Sequence, residues 1–418
     1  MEIIASSVDI TPTHPVVAGG YTQGREPLSI VSERLEANLA VLRCDPDSDP
    51  MVIISLDLLN PGRILRSALE SALPELRADQ IFLTASHTHR APMSDDTKRL
   101  LGTPDTQYME MLTQKLSSEL RRMIRSGQTQ IGVLSTASLF ARHSINRRFK
   151  RRIVVSRKSP ATWFGARYLM APNKRGATDE LVTVLVSRST TGRAQFVIWN
   201  YACHPVAFPY MNQIAADYPH YVRNILRDSL AVTDLPVLFL QGFSGNTRPS
   251  GTVSKSGGVR SWIRRLLAGP SFTKMTESGY ASWATELGEL VALGCSKSAR
   301  LKDAVLLSTR KVFPAASFVE GAEEPQVSFH SIRIGSDFAV VGASAEIVAE
   351  FAPKVRVMAG AKQVMCVGCL DHSFGYVPTR EILLQGGYEG GGYCTLFNLG
   401  PVAQNIEEKV LQGFRSVL

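Results

Sequence analysis

The segment LEANLAVLRCDPDSDPMVIISLDLLNPGRILRSALESALPELRADQIFLTASHTHRAP, residues 35–92, decides the fold class. Residues 35–43 alternate as a half-buried strand does, 45–49 carry turn chemistry, and 51–58 form a short apolar run suited to a buried strand. A helix over about 63–76 and a strand over 80–85 follow, and the chain then exits through Ser-His-Thr-His-Arg-Ala-Pro. The same plan returns twice without repeating the residues. Strands over 181–187 and 194–200 flank a turn at 189–193, run out into Tyr-Ala-Cys-His-Pro, and lead through a helix over 218–230 to a strand over 236–241. That strand ends in Gly-Phe-Ser-Gly-Asn. Strands over 327–334 and 338–341 exit into Gly-Ala-Ser-Ala-Glu, and a helix over 347–358 precedes a strand over 363–370 that opens into Asp-His-Ser-Phe-Gly-Tyr. Three hairpin–strand–helix–strand units predict an α/β fold with mixed β-sheets and flanking helices. Asp217, before Tyr218-Pro219, reads as a helix cap.

Sites in open α/β sheets collect at strand ends, where the backbone turns and side chains converge. The candidates are therefore Asp57, residues 86–89, His204, the loop 242–246, Glu346 and residues 371–376. His87 and His89 straddle Thr88, so an extended segment would direct both rings to one side, about 7 Å apart in Cα. His204 precedes Pro205, which favours an extended backbone and aims the ring out of the sheet. A single histidine reads as a hydrogen-bonded core residue. Three of the chain's eight histidines at equivalent exits, with a carboxylate, read instead as a set suited to Zn²⁺, although no compact His-Glu-x-x-His helix is present.

Composition bounds the remaining choices. The 418 residues are 44% hydrophobic and 20% charged, which excludes disordered, collagen-like and low-complexity classes. The three units are expected to form one catalytic domain, 1–418, with a basic insertion or loop region at about 120–178. Lys+Arg 46 against Asp+Glu 37 gives +9, yet residues 120–178 contain 14 cations and no acid, leaving 32 − 37 = −5 for the rest. The basic pI thus reports a local feature, so nucleic acid is not the expected partner. Six dispersed cysteines predict no disulfide framework, and Cys366-x-x-Cys369, lying in an apolar run without a second pair, reads as core thiols. The N-terminus lacks a basic and apolar leader, no run approaches bilayer length, and the expected location is cytoplasmic.

Taken in order, Ser-His-Thr-His-Arg-Ala-Pro, Asn-Tyr-Ala-Cys-His-Pro, the Gly-Phe-Ser-Gly-Asn loop, Glu346 in Gly-Ala-Ser-Ala-Glu, and Tyr-Val-Pro-Thr followed by Tyr-Glu-Gly-Gly-Gly-Tyr-Cys-Thr carry a family pattern. They resemble the catalytic domain of the neutral/alkaline non-lysosomal ceramidase family, from Val-Asp-Ile-Thr-Pro near the N-terminus to the region around Tyr388. The resemblance implies zinc held by His87, His204, Glu346 and Tyr376. It places His89, Arg147 and Tyr388 at the scissile amide, and Gly20 where backbone approaches the substrate. Gly242 stands where that family carries a serine, and Ser244 lies two residues on, so Ser244 is retained as an alternative nucleophile. Gly242, Asn246 and Arg148 join Gly20 as candidate substrate contacts. The secretion signal and immunoglobulin-like C-terminal domain of the family are missing from this sequence, so it reads as a short member for which ceramide is not the expected substrate.

The expected activity is zinc-dependent hydrolysis of the amide bond in a small or lipid-like N-acyl compound by metal-activated water. His89 would carry the proton to the leaving amine, and Arg147 and Tyr388 would donate to the oxyanion or grip an anionic group. The alternatives are an ester or phosphoester hydrolase using the same zinc, and an inactive ligand-binding homologue. The basic window, with Trp163, Phe164 and Tyr168 in its second half, reads as a solvated face, a steering surface or lid for an anionic substrate, or a membrane contact. A homo-oligomer is compatible with this reading.

Overall fold

All three units form where the sequence places them. The computed structural model describes residues 1–21, 26–125, 129–154, 164–254, 269–302, 305–320, 322, 326–397 and 399–418. In the first unit Glu36–Arg43 pairs antiparallel with Met51–Leu56, which pairs parallel with Ile81–Ala85 across helix Arg63–Ala72. In the second, Leu181–Ser189 pairs antiparallel with Ala194–Tyr201, and helix Tyr218–Ser229 returns the chain to the parallel strand Val237–Gln241. In the third, Val327–Ile334, Phe338–Ala343 and Gln363–Val367 repeat the pattern around helix Ala352–Ala359.

Strands that the sequence reading did not reach join the units. Gln130–Phe140 and Glu2–Asp9 bridge the first two into one mixed sheet, and Leu306–Phe313 edges the third. The described residues of the window 120–178 accordingly lie mostly in regular structure: the end of helix Thr106–Arg125, the strand Gln130–Phe140, and the antiparallel pair Ser144–Val154 and Phe164–Asn173. Arg157, Lys158 and Trp163 of that window lie outside the described residues. The third unit's helix also starts later than expected. Residues 346–347 form a short strand, and Pro353 sits in the first turn of the helix, where its missing N–H costs nothing.

Strand alternation explains how the units pack. Leu39, Val41, Val52 and Ile54 face an outer cluster beneath helices Arg63–Ala72 and Thr106–Arg125, while Ala40, Leu42, Met51 and Ile53 face inward. Val197 and Trp199 face out beneath Tyr218–Ser229 and Glu277–Lys297, whereas Phe196 and Ile198 face in. Val341 and Cys366 face out, and Val340 and Met365 face in. The inward residues of all three units make one shared cluster. Burying each such side chain contributes about 1.5–3 kcal/mol, so the shared cluster is what holds the three strand-end exits together.

Three arginine–aspartate pairs close the arrangement cyclically. Arg223 of the second unit's helix meets Asp57 of the first at 2.6 Å, Arg66 of the first unit's helix meets Asp371 of the third at 3.2 Å, and Arg356 of the third meets Asp179 before the second at 2.6 Å. Asp57 and Asp371, sequence candidates for chemistry, are thus inter-unit ties. Burial raises the Asp371 carboxyl, but Arg66 and Arg310 outweigh it and hold the group well below the usual carboxylate range. Its contribution is fully present above about pH 4 and is lost as the pH falls below that. The urea-midpoint gap between wild type and Asp371→Asn is therefore expected to narrow from about pH 7 to about pH 3, and an unchanged gap contradicts this assignment.

Asp217 caps helix Tyr218–Ser229 as predicted, with Oδ1 accepting from Tyr218 N and Oδ2 from Ala207 N and Phe208 N. Among the described residues no helix is long and apolar enough to cross a membrane.

Candidate metal centre

The exits after Ile81–Ala85, Ala194–Tyr201 and Phe338–Ala343 bring His87, His204 and Glu346 to one buried point. Glu346 Oε2 lies 3.3 Å from His87 Nε2 and 3.5 Å from His204 Nε2. Glu346 and Tyr376 are direct partners in a short parallel ladder, so their side chains share a face. The ring centroids of His87 and His89 lie 5.2 Å apart, and those of His87 and His204 4.8 Å. The extended geometry expected for residues 87–89 is not what joins them. His87 has φ 68°, a left-handed conformation that a non-glycine residue adopts only under local constraint. Its backbone N–H bonds Leu58 O at 2.9 Å, which accounts for the turn.

Hydrogen bonding fixes the rings in the form a metal needs. His87 Nδ1 lies 2.8 Å from Leu59 O, and His204 Nδ1 lies 3.1 Å from Ser244 O. A carbonyl only accepts, so each Nδ1 carries a proton and each ring, in its neutral form, presents a bare lone pair at Nε2. Both Nε2 atoms and Glu346 Oε2 are buried without a hydrogen-bond partner. Orphaned buried acceptors are costly, and three converging on one point fit a cation in their midst. Both ring nitrogens of His89 are likewise unpartnered, and ligand atoms of His87, His89 and His204 all lie within 4.8 Å of one another. The described residues thus fit a zinc-type centre of imidazole nitrogens and a carboxylate, with His89 at its edge.

Burial and the Arg147 charge push His204 well below the imidazole range, and burial with the neighbouring His87, Arg90 and Arg147 does the same to His89. Burial raises Glu346, but His87, the Tyr376 hydroxyl and Arg147 outweigh it and keep the carboxyl low. Tyr376 is pushed well up by burial and Glu346, and Tyr388 to about 12 by burial first. Both phenols therefore remain protonated donors at neutral pH.

Arg147 sits at the root of the basic hairpin, where Asn146 pairs with Thr247. Its donors reach Glu389 Oε1 at 2.7 Å, Gly245 O at 2.8 Å and the Tyr376 hydroxyl at 3.1 Å. Arg148 reaches Glu389 Oε2 at 3.0 Å and Gly386 O at 2.9 Å. Glu389, 3% exposed, therefore pairs with both arginines. Sequence reading passed over it, although an acid next to Tyr388 and two consecutive arginines was the available signal.

The loop 242–246 is placed mainly by packing. A Cβ on Gly242 would lie 2.6 Å from Ala202 N, so the strand beside it leaves no room for the serine side chain of the resembled family. Gly242→Ser is expected to cost about 1–3 kcal/mol, read as a lowered thermal midpoint, and a stable variant with raised turnover contradicts this. Ser244 Oγ is engaged by Gln241 Nε2, while its carbonyl orients His204. The Asn246 amide bonds Glu350 Oε2 at 2.7 Å and Ala349 N at 2.9 Å, locking the loop to the Glu346 segment. Gly20, with φ 101°, faces His89 so closely that a Cβ would lie 2.4 Å from Nδ1.

A cavity of about 40 Å³, space for roughly three waters, opens on the centre. His87, His89, Glu346, Tyr376, Tyr388 and Gly20 form part of its wall, whereas Gly242, Ser244, Asn246, Arg147 and Arg148 do not. Lys98, which sequence reading also passed over, shares the wall with Asn60, Ser373 and the apolar Leu59, Leu101 and Phe397. Burial lowers its ammonium, opposed by the Asp95 and Glu346 charges.

No protein-family model and no curated protein matches the chain. Solved structures do. Neutral ceramidase from Pseudomonas aeruginosa superposes with a TM-score of 0.74 at 14% identity, covering 99% of this chain and 73% of that one. A ceramidase complexed with C2 gives a TM-score of 0.76 at 14% identity, covering 99% of this chain and 74% of that one. This likeness speaks to architecture: the chain has the mixed α/β fold of these ceramidases along almost its whole length.

Proposed function

We propose that the chain is a zinc-dependent hydrolase that cleaves the amide bond of a small or lipid-like N-acyl compound. The observation that carries the reading is the convergence of three buried, unpartnered ligand atoms, His87 Nε2, His204 Nε2 and Glu346 Oε2. His87, His204 and Glu346 would hold the ion, with the Tyr376 hydroxyl beside them. Zinc, when bound, supplies Lewis acidity toward a carbonyl and lowers the pKa of water. The ceramidase names of both structural neighbours support an amide as the scissile bond.

The chain's own groups divide the remaining work. His89, with both ring nitrogens free of hydrogen bonds, receives a proton at one nitrogen and delivers it to the leaving amine. Tyr388, a protonated phenol on the cavity wall, donates to the developing oxyanion. Arg147 holds the Tyr376 hydroxyl in position rather than reaching the cavity itself. Gly20 lets the backbone lie against His89 and so sets the depth of the site.

A mass-spectrometric screen of the zinc-loaded protein against N-acyl amides, with esters and phosphoesters in parallel, tests the reading. Amides are expected to be cleaved preferentially, and cleavage confined to esters or phosphoesters contradicts it. Ser244→Ala is expected to keep turnover within about tenfold, because its hydroxyl is engaged by Gln241 and its carbonyl is unchanged by the substitution. A turnover loss comparable to that of removing zinc would instead make Ser244 the nucleophile.

A further inference from the structure

Lys98 is 5% exposed and shares the wall of the 40 Å³ cavity with His87, His89, Glu346 and Tyr388. Its backbone starts the short turn Arg99–Leu101, where Leu101 N bonds the Lys98 carbonyl at 2.7 Å, so the position is built rather than loose. Among the described residues none forms a hydrogen bond or ion pair with its ammonium. Asp96, the nearest acid in sequence, pairs with Arg63 at 2.8 Å, and Asp95 Oδ1 accepts from Thr97 N at 2.9 Å and Thr97 Oγ1 at 2.7 Å, with Oδ2 accepting from Ser373 N at 3.4 Å. Glu346 belongs to the proposed metal set. Arg147 and Arg148, the cations that the sequence puts nearest the substrate, both pair with Glu389 and lie off the cavity wall.

A buried ammonium without a partner is costly, and buried charges are normally compensated. The Asp95 and Glu346 charges oppose its burial without contacting it, and Lys98 opens onto the cavity, so the direct partner of its ammonium can come from what enters. One compact ammonium matches a monoanionic carboxylate, whereas a phosphate dianion calls for several donors. Lys98 shares one cavity wall with His87, His89 and Glu346, which limits how far that anion can lie from the scissile carbonyl. We propose that Lys98 determines specificity by binding a substrate carboxylate, so that the preferred class is N-acyl amino acids or comparable amides carrying a carboxylate within a few bonds of the scissile carbonyl. This rests on the amide-hydrolase reading above.

Calorimetric binding of N-acetylglycine and N-acetylglycinamide to zinc-loaded and metal-free protein tests it, because the two probes differ only in the anionic group. N-acetylglycine is expected to bind about 10- to 100-fold more tightly, and Lys98→Met is expected to bring the two to within about threefold while zinc content stays unchanged. Lys98→Gln serves the same purpose if the methionine variant does not fold. For a cleaved pair, the lysine variants are expected to raise KM for the carboxylate substrate and leave kcat nearly unchanged. Equal binding of the two probes, binding of neither, or a preference that survives both substitutions overturns the proposal. If the preference is found but no N-acyl compound is cleaved, the carboxylate site stands and the hydrolase reading falls. If both compounds are cleaved with equal KM, the hydrolase reading stands and the carboxylate site falls.

Discussion

His204→Ala is expected to lower both zinc affinity and turnover by at least about 100-fold, since losing even a group that merely orients a metal ligand costs about 10- to 100-fold. His204 is 1% exposed, its Nδ1 is held by Ser244 O, and its Nε2 has nothing else to bond. Alanine removes one of the two imidazole nitrogens that face Glu346 and leaves only His87 Nε2 opposite the carboxylate. Metal analysis alongside steady-state kinetics checks this, with far-ultraviolet circular dichroism to show that the fold persists. A folded variant that keeps its zinc and most of its turnover would remove His204 from the centre. His87→Ala is expected to behave alike, whereas loss confined to kcat with zinc retained is expected for His89→Ala if His89 carries the proton.

Glu389→Gln carries the largest expected effect on stability. One carboxylate serves Arg147 at 2.7 Å and Arg148 at 3.0 Å, and all three side chains are 6% exposed or less. Glutamine keeps the volume but leaves two buried guanidinium groups uncompensated. Removing one partner of a buried ion pair typically costs about 3–5 kcal/mol, and here two cations share the lost partner. A urea-midpoint measurement is expected to show a loss of that size, together with lower turnover, because Arg147 also holds Tyr376. An unchanged midpoint means that the arginines find other partners, and the supporting role given to Glu389 then fails.

The units were legible because each signal was local. Val184, Val197, Ile198 and Val340 sit in strands whose alternation and turn residues can be read within ten positions, and the polar exits at His87, His204 and Glu346 followed from where those strands stop. What joins the units was not legible, because the pairing of Glu2–Asp9 with Gln130–Phe140 spans more than 120 residues and leaves no local pattern. The proposed ligands His87, His204 and Glu346 could be named from their types and positions, and Tyr376 through the family resemblance. Their orientation could not, because it depends on backbone carbonyls of Leu59 and Ser244 that no side chain announces. Asp57 and Asp371 were read as site candidates for the same reason that made His87 one, a polar residue at a strand exit. Only their arginine partners on distant helices distinguish a tie from a ligand. Lys98 and Glu389 stayed hidden because their importance lies in which charges the fold leaves paired or unpaired around them.

The most direct test of the metal centre and its chemistry is a zinc titration of metal-stripped protein with cleavage of an N-acyl amide as the readout. Turnover is expected to rise linearly to one zinc per chain and then level, with no rise in His87→Ala or His204→Ala. Turnover that is already complete without zinc, or absent from the wild type at full zinc occupancy, would contradict the account.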